Sequence, residues 1–353
     1  MPATHLVLNL LGSSVSITLT DPEGIAGQML ARALVDLTVG DPPLPVRSAL
    51  RVTRRAGHYV LVDEDADSVI AHHRDGRAFV TQVVHRLNRL ALDLDPLRLH
   101  LHAAAVVRVD GTGVLIVGAS GAGKSTLTTD LLLHGGAYLG DELTAVVSGT
   151  ASFEELHVAQ QASSRVEGYP KPISLKGDSV TRFAELAPIP TADHWAELPA
   201  SSVGPAVHGA SVGVVVFPRY VAGAVSSSTS VGPTDATRML LGSTMDAERY
   251  GVRSLGTLAR MASSATCVVL TVGDDADAAA KIVNSIAPPV HPLPLRMCAI
   301  DPDGNSAGGT GDHLTVAMMT DGNLAMNGNG TTFGNIATEQ LERRGLSLLT
   351  PTD

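Results

Sequence analysis

The residues best suited to chemistry lie near the middle of the chain, in a glycine-rich segment. This segment fits the pattern G-x-x-x-x-G-K-[ST] in full, and it consists of Gly118, Ala119, Ser120, Gly121, Ala122, Gly123, Lys124 and Ser125. Glycines let successive backbone N–H groups point inward around phosphate oxygens, and the dipole of a following helix strengthens that field. Lys124 would supply a charge for the β and γ phosphates, and Ser125 a hydroxyl for magnesium. The segment therefore predicts a site for nucleotide phosphates.

Two adjacent carboxylates follow a short distance later. Asp141 and Glu142 come 17 residues after Lys124, at the end of a short apolar run. Neighbouring side chains on a strand point to opposite faces, but a chain that turns at the strand end can present both. One acid would then help to hold magnesium while the other accepts the proton of an acceptor hydroxyl. A capping or turn aspartate is the alternative interpretation.

The elements that position these groups are indicated by hydrophobic pattern. An apolar strand is predicted at 114–117 before the glycine-rich segment, and a helix at 125–133 after it, ending at Gly135. Further strands are predicted at 103–107, 138–140, 212–217 and 267–272, and a helix at 274–286. Strands that alternate with helices predict an α/β domain with a covered sheet, which we place at 100–289.

The regions on either side carry no recognisable chemistry. Residues 1–99 predict a small α+β domain with strands at 6–11, 15–19 and 59–62, a helix at 25–37, and an amphipathic helix spanning 80–91. Residues 290–353 contain glycine-rich loops between short apolar runs and predict a mostly β extension. We expect an acceptor pocket to be assembled partly from such flanking segments. The sequence leaves the oligomeric state open, including a homo-oligomer.

Composition excludes several classes of function. The 353 residues carry 35 acidic against 25 basic side chains, a formal net charge of −10, which argues against nucleic-acid and anionic-membrane binding. Two cysteines exclude a disulfide scaffold, and no apolar run is long enough to span a membrane. The first residues lack the basic segment of a signal peptide. We therefore expect a cytoplasmic location.

The order and spacing of the motifs resemble the catalytic core of the HPr kinase/phosphorylase family. The resemblance is dense over about 100–180 and looser to about 287. The motifs that carry it are His102-Ala103-Ala104, Gly111-x-Gly113, the segment 118–125, Gly136-x-x-Leu139-x-Asp141-Glu142, YPKPISLK at 169–176 and VVVFPR at 214–219. It implies a phosphoenolpyruvate-carboxykinase-like P-loop kinase core that uses ATP and Mg²⁺.

The resemblance also implies roles for individual residues. Residues 118–126, including Thr126, would cradle the triphosphate, and Asp141 would act as the catalytic base. Glu142 and Ser125 would lie near the magnesium, and His102 beside the transferring phosphates. Three further residues are implied as phosphate or acceptor contacts, with solvated surface charge as the alternative: Lys171, Lys176 and Arg219.

Departures from the family pattern narrow the expected acceptor. The kinase/phosphorylases of sugar transport typically carry two aspartates where this chain has Asp141-Glu142, and an acid where Thr126 stands. No R-P-G-R-N-like loop follows. The resemblance therefore implies a related kinase acting on the hydroxyl of a small metabolite or a Ser/Thr-bearing peptide, as in specialised biosynthesis, rather than on HPr. A nucleotide-binding regulatory or assembly NTPase without a phosphoacceptor remains the alternative.

Overall fold

The chain is seen in a computed structural model that describes residues 3–39, 45–96, 98–147, 164–245, 251–289, 295–300, 314–319 and 324–327. Its described part is mixed α/β, with strands arranged in four sheets. Within those residues, no helix combines the length and apolarity needed to cross a membrane.

The first sheet has five strands in chain order. They are β1 (Thr4–Leu10), β2 (Ser13–Leu19), β3 (Val46–Arg55), β4 (His58–Asp63) and β5 (Ser68–His73). Helix α1 (Ile25–Ala33) connects the parallel pair β2 and β3, and a short 3₁₀ turn at Val35–Leu37 follows it. The predicted strands and both predicted helices are present here, but α1 stops four residues before the predicted end.

Helix α2 (Gly76–Leu94) covers this sheet. Its first turn is capped by Asp75, whose carboxylate accepts hydrogen bonds from the N–H groups of Arg77 and Ala78. Phe79, Val83 and other apolar residues recur at three- and four-residue steps and are fully buried against the strands. The far end of the same helix carries Asn88, which reaches the region of Glu142.

A second sheet of ten strands forms the centre of the molecule. Its path runs β17 (Thr244–Met245), β6 (Leu99–Leu101), β10 (Thr144–Val147), β11 (Arg165–Glu167), β15 (Gly209–Tyr220), β8 (Gly113–Val117), β7 (Ala103–Val107), β9 (Ala137–Gly140). Off this path, β18 (Thr266–Val272) pairs with β15 and with β16 (Ser227–Ser230). Strands β8, β15 and β18 are parallel neighbours, while the other pairs in this sheet are antiparallel.

Apolar side chains cover both faces of this sheet. Successive residues of β8 alternate between two cores, with Val114 and Ile116 in one and Leu115 and Val117 in the other. Helices α3 (Lys124–Leu133) and α7 (Ala276–Ser285) contribute to the first core; α5 (Pro233–Leu241) and α6 (Val252–Ser264) contribute to the second. Burial on both faces explains the continuous apolar runs of these strands.

Two three-stranded sheets complete the described structure. One contains β12 (Ile173–Lys176), β14 (Trp195–Leu198) and β13 (Ile189–Ala192), in that order across the sheet. The short α4 (Asp178–Arg182) and a 3₁₀ turn at Ala184–Leu186 lie between β12 and β13 in the chain, and a 3₁₀ turn at Ala200–Ser202 follows β14. The other contains β19 (Leu295–Ile300), β20 (Leu314–Met319) and β21 (Leu324–Asn327). Most of the predicted β extension at 290–353 lies outside the described residues, and the proposed domain boundaries stay predictions.

The core under the first sheet extends to residues of the central part of the chain. Leu143, Ala145, Tyr169 and Ile189 all belong to the same buried cluster as the apolar residues of β1–β5 and α2. Leu143 directly follows the two carboxylates, and Tyr169 lies two residues before Lys171. The first sheet therefore supports the segments that carry the candidate site residues.

We predict different effects on stability for two substitutions at Tyr169. The side chain is fully buried, and its hydroxyl has no hydrogen-bond partner among the described residues. Tyr169→Ala removes a buried ring and should lower the free energy of unfolding by about 3–5 kcal/mol. Tyr169→Phe removes only an unpaired buried hydroxyl and should leave that free energy equal or raise it by about 1 kcal/mol. Urea denaturation of both variants tests this, and equal losses would contradict it.

Candidate active site

The glycine-rich loop joins strand β8 to helix α3. The strand ends at Val117 and the helix begins at Lys124, as the pattern predicts. Gly121 and Gly123 have φ angles of +83° and +91°, a left-handed conformation that residues with a Cβ rarely adopt. The loop needs glycine at both positions to turn into the helix. Its backbone thereby brings N–H groups to the positive end of the dipole of α3.

Lys124 is held over this loop by three acceptors. Its ammonium donates to the carbonyl oxygens of Gly118 at 2.7 Å and Ala119 at 3.2 Å, and it lies 3.2 Å from Nε2 of His102. The side chain is 6% exposed, and burial lowers its pKa below the usual value. A buried cation held against the loop favours binding of an anionic ligand beside the loop.

His102 joins the loop to the carboxylate pair. Its Nδ1 lies 3.1 Å from the carbonyl oxygen of Glu142, which places the ring proton on Nδ1 and leaves Nε2 to accept from Lys124. Burial, and next the charge of Lys124, lower the pKa of His102. The imidazole is therefore neutral near pH 7, and it orients the lysine that the pattern assigns to phosphate.

Asp141 is fully buried beside the start of helix α3. Its Oδ2 accepts a 2.8 Å hydrogen bond from the Ser125 hydroxyl, whereas its Oδ1 has no hydrogen-bond partner among the described residues. Burial raises the pKa of Asp141 against the lowering effect of the Lys171 ammonium. A buried carboxylate oxygen without a partner is costly unless a proton, cation or ligand completes it.

Glu142 and Asp141 reach different partners at the break between strands β9 and β10, which both run antiparallel to the consecutive strands β6 and β7. Its φ is +67°, an uncommon value for a residue with a side chain. The carboxylate lies 3.3 Å from the ammonium of Lys171 and 4.0 Å from that of Lys176, and it accepts from Asn88 at 3.5 Å. Burial opposes its ionisation, but the two lysines outweigh that effect and lower the pKa of Glu142 to about 2.

Lys171 is a buried cation and not a solvated surface charge. The side chain is 0% exposed, and besides Glu142 it donates to the Pro172 carbonyl at 2.9 Å and the Ser174 hydroxyl at 3.3 Å. Ser174 in turn donates to Glu197 at 2.9 Å. Burial alone would lower the pKa of Lys171, but the surrounding carboxylates, Glu142 first, raise it. The alternative reading of this lysine as exposed charge is therefore wrong.

The remaining predicted residues surround the loop. Lys176 is partly exposed, with its ammonium 4.2 Å from the centre of the Trp195 ring. Thr126 shares a 2.9 Å hydrogen bond with Ser179. Arg219 is exposed near the end of β15 and borders a cleft together with loop residues 118–122. The structure thus brings all predicted site residues to one region.

The oxygen atoms of this site suit a magnesium ion better than a metal that needs all of its ligands from protein side chains. Across the described residues, no group of three or more His, Cys, Asp or Glu side chains is placed to hold a metal. Magnesium is commonly bound by one or two carboxylates together with waters and substrate phosphates. The Ser125 hydroxyl would hold it together with waters and phosphates, and the Asp141 carboxylate beside that hydroxyl keeps one unpartnered oxygen. The Glu142 carboxylate is instead paired with lysines.

Comparison with known proteins finds likeness among solved structures alone. No protein-family model matches the sequence, and no curated protein matches it. Among solved structures, the Hpr(Ser) kinase/phosphatase from Coxiella burnetii is similar at 17% identity with a TM-score of 0.23. The match covers 35% of this chain and 60% of that chain, which is less than two thirds of its length. Function is therefore argued below from the geometry of this chain.

Sequence reasoning missed the residues that support the carboxylates. Asn88 and Glu197 lie in segments with no motif of their own, and Ser174 lies within the motif at 169–176 but without a predicted role. The tertiary fold brings all three to the site. A serine or glutamate in a short strand of alternating pattern gives no distinguishing signal. The burial of Lys171 could have been suspected only from its apolar neighbours Pro172 and Ile173.

We predict that Lys171→Met strongly destabilises the protein. The substitution keeps the length of the side chain but leaves Glu142 buried without its nearest cation, and such a loss costs about 3–5 kcal/mol. Equilibrium urea denaturation measures it. Adding Glu142→Gln to Lys171→Met should recover part of the loss, because one uncompensated charge is removed. Additive losses in the double variant would contradict a direct interaction.

Glu197 predicts a pH dependence of stability. Burial raises its pKa from 4.5 to about 7, so the folded chain keeps a proton that the unfolded chain loses near pH 4.5. The free energy of unfolding of the wild type should therefore fall, relative to that of Glu197→Gln, as the pH rises from 4.5 to 7. Denaturation curves at pH 5 and pH 8 test this. The exposed Glu185→Gln is the matched control, and an equal pH response in Glu197→Gln and wild type would refute the prediction.

Proposed function

We propose that this chain is an ATP-dependent kinase with a phosphoenolpyruvate-carboxykinase-like P-loop core, and that it phosphorylates a hydroxyl of a small metabolite or a Ser/Thr-bearing peptide. One observation carries the proposal: the unpartnered oxygen of buried Asp141 lies beside Ser125 at the first turn of the helix that follows the glycine-rich loop. A phosphate site, a magnesium site and a base candidate thus meet at one helix terminus.

The chain's own residues would act mainly by position and charge. The backbone N–H groups of the loop and of the first turn of α3 would bind the α and β phosphates, and Lys124 would neutralise charge on the β and γ phosphates. His102 keeps the Lys124 ammonium directed at this place. A magnesium ion held by the Ser125 hydroxyl, waters and the phosphates would supply further neutralisation of phosphate charge.

The transfer needs a base for one proton. The acceptor hydroxyl oxygen forms a bond to the γ phosphorus while the bond from that phosphorus to the β–γ bridging oxygen breaks, so that ADP leaves. The proton of the hydroxyl passes to the carboxylate of Asp141, whose raised pKa suits a general base. Glu142, with its pKa at about 2 and its lysine partners, stays ionised throughout and is a poor acceptor for that proton.

Lys124→Ala and Asp141→Asn should separate binding from transfer. Without the lysine charge, affinity for Mg·ATP should fall at least tenfold in isothermal titration. Asp141→Asn keeps the shape of the side chain but removes the base, so nucleotide binding should persist while phosphorylation falls by about 10²–10⁴-fold. Labelled ATP with a panel of hydroxyl metabolites and Ser/Thr peptides measures the transfer.

Lys281→Ala is the matched control for loss of a lysine, because Lys281 is an exposed residue of helix α7. It should bind Mg·ATP as the wild type does. Full transfer activity in Asp141→Asn would refute the assignment of the base. Tight, Lys124-dependent nucleotide binding without phosphorylation of any acceptor would favour a regulatory or assembly NTPase instead.

A further inference from the structure

Two clefts lie beside the glycine-rich loop. The first has a volume of about 900 Å³ and is named here the Arg219 cleft; it is bordered by His102, residues 118–122, Phe217, Arg219, Met239 and Met245, among others. The second has about 430 Å³ and is named the Asp178 cleft; it is bordered by Thr126, Asp130, Asp178, Arg182 and Asp274, among others. Either is large enough for part of a bound substrate.

A smaller cavity of about 150 Å³ shares lining residues with both clefts. It contains Lys124 and Ser125, and it shares His102 with the Arg219 cleft and Thr126 with the Asp178 cleft. The phosphates of a bound nucleotide belong in this cavity, because it holds the lysine and the hydroxyl of the motif. The nucleoside and the acceptor must then leave it toward different clefts.

The direction of the phosphate chain follows from Lys124. In this motif the lysine reaches the β and γ phosphates, while backbone N–H groups of the loop and of the helix start bind the α and β phosphates. The Lys124 ammonium lies against His102, on the wall shared with the Arg219 cleft. Thr126, one residue into the helix past Ser125, borders the Asp178 cleft. The γ phosphate thus faces the Arg219 cleft, and the α phosphate faces the Asp178 cleft.

The charges of the two clefts agree with this direction. Three carboxylates border the Asp178 cleft, Asp130, Asp178 and Asp274, together with Lys176 and Arg182, of which Arg182 pairs with Asp130. Carboxylates are good acceptors for ribose hydroxyls. Among the described residues that border the Arg219 cleft there is no Asp or Glu; the ionisable groups among them are His102, Arg219 and Tyr220. Phe217, Met239 and Met245 provide apolar surface there. A guanidinium beside apolar walls suits an anionic group on an apolar molecule.

We propose that the Asp178 cleft binds the nucleoside, and that the Arg219 cleft binds the phosphoacceptor, a hydroxyl-bearing molecule with an apolar body and a carboxylate recognised by Arg219. This deepens the proposed function and rests on it. Arg219 is thereby a determinant of acceptor specificity and not a nucleotide ligand.

Photolabelling of the full chain with 8-azido-ATP and magnesium tests the nucleoside side. Label that depends on Lys124 should map to residues 178–182 or 272–279, which border the Asp178 cleft. Label at 217–220 or 239–245 would overturn the division of the clefts while leaving the kinase proposal intact. Absence of Lys124-dependent label at any residue would refute nucleotide binding itself, and the division with it.

Two tryptophan substitutions on exposed or half-exposed positions provide a matched pair. Asp178→Trp should weaken Mg·ATP binding at least tenfold in isothermal titration, because it fills the nucleoside cleft. Met239→Trp fills the Arg219 cleft, and it should change that affinity less than twofold while lowering phosphotransfer at least tenfold. The reverse pattern would overturn the proposal, and thermal denaturation of both variants checks that they fold.

The acceptor chemistry is tested with seryl hexapeptides of one leucine-rich sequence that carry Glu, Gln or Lys beside the serine, and with free hydroxy acids of apolar side chain. Wild type should phosphorylate carboxylate-bearing acceptors at least tenfold faster than the Lys peptide. Comparing the rates for the peptides with those for the free hydroxy acids shows whether the acceptor is a peptide or a small molecule. Arg219→Gln should abolish this preference without weakening Mg·ATP binding. An unchanged preference, a preference for Lys, or no transfer to any carboxylate-bearing acceptor would overturn the role of Arg219.

Discussion

The buried ion pair between Lys171 and Glu142 is the interaction on which the rest of the site depends. Neither charge can be left alone at this depth, because an isolated buried ion costs several kcal/mol. Each is therefore surrounded by polar partners: Ser174 and the Pro172 carbonyl for the lysine, Lys176 and Asn88 for the glutamate. These partners come from helix α2 and strand β12, so that the pair ties three distant parts of the chain together.

The pair also explains how two adjacent acids acquire different properties. The left-handed backbone at Glu142 turns its carboxylate to the lysines and leaves Asp141 directed at Ser125. One carboxyl then has a pKa of about 2, while burial raises the pKa of the other. Proximity in sequence alone would have given two similar acids that repel each other. The fold separates them into a permanent charge and a proton acceptor.

Local pattern was sufficient to predict the elements nearest the loop. Strand β8, the left-handed glycines and helix α3 follow from an apolar run, a glycine-rich motif and a helical repeat within about 20 residues. Strand β3 was not predicted, because its four arginines obscure the alternation of buried Ser48, Leu50 and Val52. The support of Glu142 by Lys171 could not be predicted either, since it depends on contacts between segments far apart in the chain. Long-range pairing has no signature in a single sequence.

The shared core of the first sheet has a consequence for how such a chain can evolve. Leu143 and Tyr169 flank the charged residues of the site and are buried among residues of β1–β5 and α2. Removing the first hundred residues would expose these side chains to water and also take Asn88 from Glu142. The segment is thus not a module that gene rearrangement could discard or exchange freely. Any replacement would have to reproduce an apolar surface that fits the segment between β9 and β10, which bears the two carboxylates.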